Sequence, residues 1–200
     1  MKLNDAKSSS AIGFLTVVEN PEIGLFGGYL ILNRLGRPLE FHCTAPIKPS
    51  RAQEILYGAT LKPYLFGEQI GRTLVGSAKT QPLAVLTDRE PALALRQFVD
   101  LPVVFVLAAD DAEADSEATG VRDSAGRVSA GPSYRIDDPH PTQNHLTAFH
   151  LGRSRVAVPS WAAEDQNLVT TRLGELAPSF DFQEPFERIR EAIEEARRGG

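Results

Sequence analysis

A chain of 200 residues with 42% hydrophobic side chains can bury one substantial core, and two independent domains would be cramped within it. The net charge of −5 lacks the basic footprint that phosphate binding demands, so the composition predicts no nucleic-acid partner. No apolar run is long enough to span a bilayer and the single cysteine cannot form an internal disulfide, so we expect a soluble, cytoplasmic protein.

The N-terminal third of the chain predicts an antiparallel meander. The stretch "GFLTVVE" is rich in residues that favour strands, and it ends at the turn-forming "NPEIG". The stretches "LFGGYLILN" and "RPLEFHCT" then flank "RLG" as the two arms of a hairpin. After the hairpin, "SRAQ" is a capping box at the start of a short helix over Arg51 to Tyr57, and a longer helical pattern runs from Thr60 to Ala78.

The middle of the chain predicts a parallel β-α-β unit. "QPLAVLTD", "REPALALRQFV" and "DLPVVFVLAAD" have the patterns of a strand, a short helix and a strand, and a crossover of this size places the two strands parallel. Further along, "LTAFHLGRSRVAVP" predicts one or two strands, and "SWAAEDQNLVTTRLGELA" predicts a helix. In the final helix, an apolar stripe of Phe186, Ile189 and Ile193 is expected to pack on the sheet. The fold class predicted is α+β with a mixed sheet.

Residues 110–141 separate two parts of the chain. They consist mainly of Asp, Glu, Ser, Ala and Gly, with few large apolar side chains, which is typical of a flexible acidic loop or linker. We therefore expect an α+β core over residues 1–109. Residues 142–200 would add strands and C-terminal helices to that same core.

The only cysteine, Cys43, stands beside His42 in the second arm of the hairpin, as a nucleophile beside its base would. Side chains alternate along a strand, however, so these two point to opposite faces. Cys43 shares its face with Leu39 and Phe41, which predicts a buried and unreactive thiol. His42 and Glu40 share the other face, as a polar row that either lines a cleft or is simply solvated.

A second polar pair, Thr87 and Asp88, ends the first strand of the β-α-β unit. The carboxyl ends of parallel strands are where α/β proteins bind ligands, which makes these two residues candidates for a site. The stretch "TDRE" is also a capping box, in which Thr87 caps the following helix and Glu90 answers it.

Clustered His and Asp side chains occur once, in "DDPHPTQNHLTAFH". Asp138, His140, His145 and His150 are weak candidates for metal ligands, because their five-residue spacings match no zinc-binding pattern. We therefore predict no metal site.

No motif in the chain specifies a reaction, and no glycine-rich loop fits a phosphate group, so the sequence predicts no cofactor. The function predicted is a non-catalytic, soluble protein-interaction module, such as an accessory subunit or adaptor, with a protein partner. The alternative is a small enzyme or ligand-binding domain. Its site would lie near the polar face of the hairpin and the strand end at Thr87 and Asp88.

Overall fold

The structure, a computed structural model, describes residues 11–108, 146–178 and 180–198. The strands are β1 (Ile12–Asn20), β2 (Gly24–Leu32), β3 (Pro38–Cys43), β4 (Val85–Thr87), β5 (Val103–Val106), β6 (Leu146–Leu151) and β7 (Ser154–Pro159). The α-helices are α1 (Arg51–Tyr57), α2 (Leu61–Pro63), α3 (Arg72–Ser77), α4 (Asp165–Leu173) and α5 (Glu184–Arg198). A π-helix spans Tyr64–Gly71, and 3₁₀ segments span Gly58–Thr60, Glu90–Gln97 and Ser160–Ala162.

The strands form one seven-stranded sheet in the order β3-β2-β1-β4-β5-β7-β6. β1, β2 and β3 are antiparallel to one another, whereas β4 and β5 run parallel to β1. β7 pairs antiparallel with β5, and β6 pairs antiparallel with β7. The predicted α+β fold with a mixed sheet is therefore confirmed. The domain boundaries at 109 and 142 stay predictions, because the acidic segment 110–141 lies outside the described residues.

Each face of the sheet carries its own apolar core, because alternate side chains of the central strands point to opposite faces. Phe14 and Leu86 belong to the core beneath α4 and α5. Leu15 and Val85 belong to the core beneath the π-helix and α3. The final helix packs internally, as predicted, since the three residues of its apolar stripe are buried.

Two consecutive glycines of β2 let a helix approach each face of the sheet. A Cβ at Gly27 would lie 2.2 Å from Ile70 Cγ2 in the π-helix, and a Cβ at Gly28 would lie 2.2 Å from Ile189 Cγ2 in α5. Neither distance is compatible with a real side chain, so the helix-to-sheet spacing on both faces depends on these glycines.

The helical run predicted over Thr60 to Ala78 forms without a gap from Leu61 to Ser77, but its middle is a π-helix rather than an α-helix. α2 and α3 are joined by the eight-residue π-helix, which contains Gly67 and Gly71. A Cβ at Gly67 would lie 2.6 Å from the backbone nitrogen of Leu95, so the π-helix rests directly on the 3₁₀ segment Glu90–Gln97. Glycines inside a helix weaken its intrinsic α-helical preference, and here close packing determines the backbone path.

The prediction that Cys43 is buried is wrong, because its side chain is exposed. Within the described residues β3 is an edge strand, and α5 covers its face only in part: Phe41 is 39% exposed. The register with β2 also shifts between Ile31 and Leu32, opposite Leu39, so strict alternation fails there. No helix among the described residues is both long and apolar enough to cross a bilayer.

We expect Gly28→Ala to destabilise the protein by about 1–3 kcal/mol, because the new methyl group overlaps Ile189. Ile189→Ala alone should cost about 2–5 kcal/mol through a cavity. Combined with Gly28→Ala it should cost less than the sum, since one change makes room for the other. Urea unfolding measures each value. Gly76→Ala, in α3 with nothing within 4 Å, is the control and should be neutral or stabilising. Additive costs would contradict direct contact.

Candidate functional site

The strand order reverses between β1 and β4, where the carboxyl end of β4 lies beside the middle of β1. From β1 the chain continues to β2 and β3 on one side, and it later returns to place β4 and β5 on the other side. In open sheets with parallel strands, the crevice at such a switch point is the usual place for a ligand. The polar side chains at this end of the sheet are therefore the first to consider.

Thr16 and Asp88 lie next to each other at this switch point. Leu15 of β1 is opposite Thr87, the last residue of β4, so Thr16 and Asp88 each follow one member of that pair. Both face α5: Thr16 lies opposite Gly28, which contacts Ile189, and Asp88 binds a residue of α5 directly. Adjacent strands are about 5 Å apart, which brings the two side chains within reach of one small group.

Both side chains carry an oxygen atom that has no hydrogen-bond partner among the described residues. Thr16 is fully buried, and its Oγ1 is unpaired. The Asp88 side chain is 9% exposed, and its Oδ1 is unpaired as well. Buried polar atoms are nearly always hydrogen-bonded, so two unpaired acceptors side by side are unusual.

The other oxygen of Asp88 is bound by Arg190, whose Nη2 donates to Oδ2. Arg190 projects from α5, and its side chain is 40% exposed. The ion pair neutralises the carboxylate, and the partly exposed guanidinium keeps contact with solvent. The site thus combines an ion pair with one carboxylate oxygen and one hydroxyl oxygen that have no partner among the described residues.

Thr87 does not belong to this site. It is fully buried on the opposite face of the sheet, so the sequence pair Thr87 and Asp88 is divided between the two faces. The capping box predicted for Thr87 and Glu90 does not form, since Thr87 Oγ1 accepts the backbone N–H of Arg89 instead. The 3₁₀ segment that follows has no side-chain cap at its N-terminus.

Glu40 and His42 share a face of β3, as the alternation predicts, and they bond to each other at 3.0 Å. Glu40 also accepts the backbone N–H groups of Lys79 at 2.9 Å and Thr80 at 2.6 Å. The hydroxyl of Thr80, followed by these groups, lowers the pKa of Glu40 to about 2. Through these bonds, Glu40 ties β3 to the loop before β4. A carboxylate with so low a pKa is a poor general base, because it holds a proton only weakly.

We expect Glu40→Gln to lower the melting temperature at pH 7, because the amide cannot replace a carboxylate that accepts several donors. The pKa of Glu40 falls from 4.5 to about 2 on folding, so its contribution is complete above pH 4.5 and disappears as the pH falls toward 2. Thermal melts across this range should therefore converge for the wild type and the variant. A constant difference down to pH 2 would contradict the assignment. Thr80→Val, which removes one donor, should show a smaller version of the same effect.

Of the four weak metal candidates, Asp138, His140 and His145 lie outside the described residues. His150 is exposed on β6, opposite Arg155. Among the residues that the structure describes, no three His, Cys, Asp or Glu side chains are grouped so that they could hold a metal ion. The absence of a metal site stays a prediction.

Sequence reasoning missed Thr16 and Arg190. Thr16 sits in the apolar run "GFLTVVE" on the same face as Phe14, where a lone threonine is ordinary in a strand. Arg190 sits in a helix rich in charged residues, where one arginine more carries no signal. The only sign in the sequence was a polar residue at a position of β1 whose neighbours on the same face are apolar.

No family model and no curated protein matches the chain. Among solved structures, the chain is similar to human ENDOV, with 17% identity and a TM-score of 0.30 over 50% of this chain. It spans 46% of the length of that structure. It is also similar to Ciona intestinalis endonuclease V in complex with a 24mer DNA containing an inosine followed by a ribo-adenosine. That likeness has 12% identity and a TM-score of 0.40 over 94% of this chain and 87% of the other.

These structures contradict two predictions made from the sequence. Both are structures of endonuclease V, and one of them holds DNA, whereas the sequence predicted a non-catalytic adaptor with a protein partner and no nucleic acid. Both predictions are wrong. Identities and TM-scores this low carry no reaction, substrate or site residue to this chain, so a function has to come from its own contacts.

Proposed function

We propose that the chain is a ligand-binding domain whose site lies at the carboxyl end of β4, beside the middle of β1. The observation that supports this most directly is the pair of buried oxygens without a partner among the described residues, Thr16 Oγ1 and Asp88 Oδ1, which follow the paired residues Leu15 and Thr87. Leaving a buried acceptor unpaired costs about 1–3 kcal/mol. A ligand that donates to both oxygens recovers that cost, and this gain is a source of binding free energy.

The charges around the site select the ligand. Asp88 and Arg190 already neutralise each other, so a ligand of either sign has to displace one of them. A neutral ligand leaves the ion pair in place. One N–H of such a ligand would be shared between Thr16 Oγ1 and Asp88 Oδ1, and an adjacent carbonyl would accept a hydrogen bond from the partly exposed guanidinium of Arg190. This donor–acceptor edge is that of an amide or a lactam, a group that also occurs on nucleobases.

The polar face of the hairpin is not part of this site, although the sequence alternative included it. Glu40 has its donors within the chain, and it lies on the opposite face of the sheet from Asp88. We propose binding and assign no reaction. Thr16, Asp88 and Arg190 together make a recognition site for a polar edge, and the expected cytoplasmic location stays a prediction.

We expect uracil and hypoxanthine to raise the melting temperature of the full chain in a concentration-dependent way. In contrast, 1,3-dimethyluracil keeps the carbonyls but lacks both N–H groups, so it should have no effect. Single-stranded oligonucleotides that carry the same bases form a second arm and distinguish a free base from a nucleic acid. Equal responses to uracil and its dimethyl derivative, or no response to any lactam, would refute the proposal.

The substitution Thr16→Val separates binding from stability. Removing an unpaired buried hydroxyl should raise the free energy of unfolding by about 1 kcal/mol in the absence of ligand. The same change should abolish the thermal shift caused by uracil, because one acceptor is lost. Thr73→Val is the matched control, since it removes an exposed hydroxyl of α3 far from β1 in the sequence and should leave uracil binding intact. A Thr16→Val protein that is destabilised would show that the hydroxyl already has a partner.

A further inference from the structure

A second concave surface lies where α5 passes the edge of the sheet. We call it the β3–α5 groove. It is a shallow depression, open to solvent, with a volume of about 510 Å³, and neither Thr16 nor Asp88 lines it. Ligand sites commonly have volumes of about 300–1,000 Å³ and mostly apolar linings with a few polar groups.

The floor and the outer wall of the groove are apolar. Leu30 of β2 and Ile189 of α5 form the floor, and both are buried. Ala192 lines the side formed by α5, and Phe41 lines the side formed by β3. Phe41 is 39% exposed, so a flat apolar ligand placed against it would remove its ring from water.

The polar groups of the groove leave a negative charge available. Arg188 is already engaged, since it donates to Glu184 Oε2 at 2.7 Å and to the carbonyl of Gly36 at 3.1 Å. Glu191 and Glu195 also line the groove, and neither forms an ion pair within the described residues. They are one helical turn apart on α5, which places both carboxylates on the same side of the opening.

We propose that the β3–α5 groove binds a small amphiphilic amine, with its apolar body against Phe41 and Ala192 and its ammonium group between Glu191 and Glu195. Charge complementarity selects this class. An anion meets two carboxylates, and a neutral apolar molecule gains only the area it buries. A cation with an apolar body gains both the buried apolar area and the attraction of the two carboxylates. The groove is separate from the site at β1 and β4, so this proposal stands or falls independently of the function proposed there.

Three probes with the same indole ring but different charges test the proposal. Tryptamine is a cation at neutral pH, 3-methylindole is neutral, and indole-3-propionate is an anion. In ¹H–¹⁵N NMR titrations of the full chain, tryptamine should shift the amides of Phe41, Ile189 and Ala192 and bind roughly fivefold more tightly than 3-methylindole, as expected for exposed ion pairs. Indole-3-propionate should bind most weakly. The preference for the cation should shrink at high salt.

Substitutions in α5 then locate the selectivity. Glu191→Gln with Glu195→Gln should remove the preference for tryptamine while leaving 3-methylindole binding unchanged. Glu22→Gln is the matched control, because Glu22 is exposed in the turn between β1 and β2, outside the groove, and should have no effect. Ala192→Leu should fill the groove and weaken all three probes. Equal affinities for the three indoles, shifts confined to other residues, or no binding at all would each overturn the proposal.

Discussion

The enclosure of β2 between two helices is the constraint on which the rest of the structure depends. Every residue of this strand is buried, and its two consecutive glycines face opposite sides of the sheet. Ile70 reaches the backbone on one side and Ile189 reaches it on the other. Because the side chains that normally separate a helix from a sheet are missing on both faces, the π-helix and α5 are each fixed at an unusually short distance from the strands.

The position of α5 determines both candidate sites. The helix is held over β2 by Ile189, and Arg190 is therefore carried toward the end of β4, where it meets Asp88. On another side of the same helix, Ala192 and Glu195 border the space beside Phe41. One close contact between a glycine and an isoleucine thus places a cation over the switch point and leaves an apolar groove at the sheet edge.

Local rules predicted much of the fold. The capping box at the start of α1 forms as the sequence indicates, since Ser50 accepts the N–H of Gln53 and the Gln53 side chain accepts the N–H of Ser50. Strand composition, crossover length and the apolar stripe of α5 were sufficient for the mixed sheet and for the docking of the last helix. These features depend on residues close together in the sequence, or on a periodicity that repeats over a whole element.

The features that sequence reasoning missed depend on tertiary position. Alternation correctly separates Cys43 from His42, but it does not reveal that β3 is an edge strand with a partly uncovered face. Thr16 indicates a site only because strand pairing brings it close to Asp88, which is 72 positions away in the numbering of the chain. Neither relation leaves a mark in a single sequence, because both are set by which strands become neighbours.

Two carboxylates, Glu40 in the hairpin and Asp88 after β4, differ in how far their hydrogen-bonding capacity is used within the chain. Glu40 accepts bonds from Lys79, Thr80 and His42, so its charge is fully used within the chain, and its low pKa records that use. Asp88 has one oxygen bound by Arg190 and one left without a partner in the described residues. A carboxylate whose acceptors are all satisfied stabilises the fold, whereas one that keeps a free acceptor beside a free hydroxyl has capacity for a further group. That unused capacity, rather than the number of polar residues, separates a binding site from a structural contact in this protein.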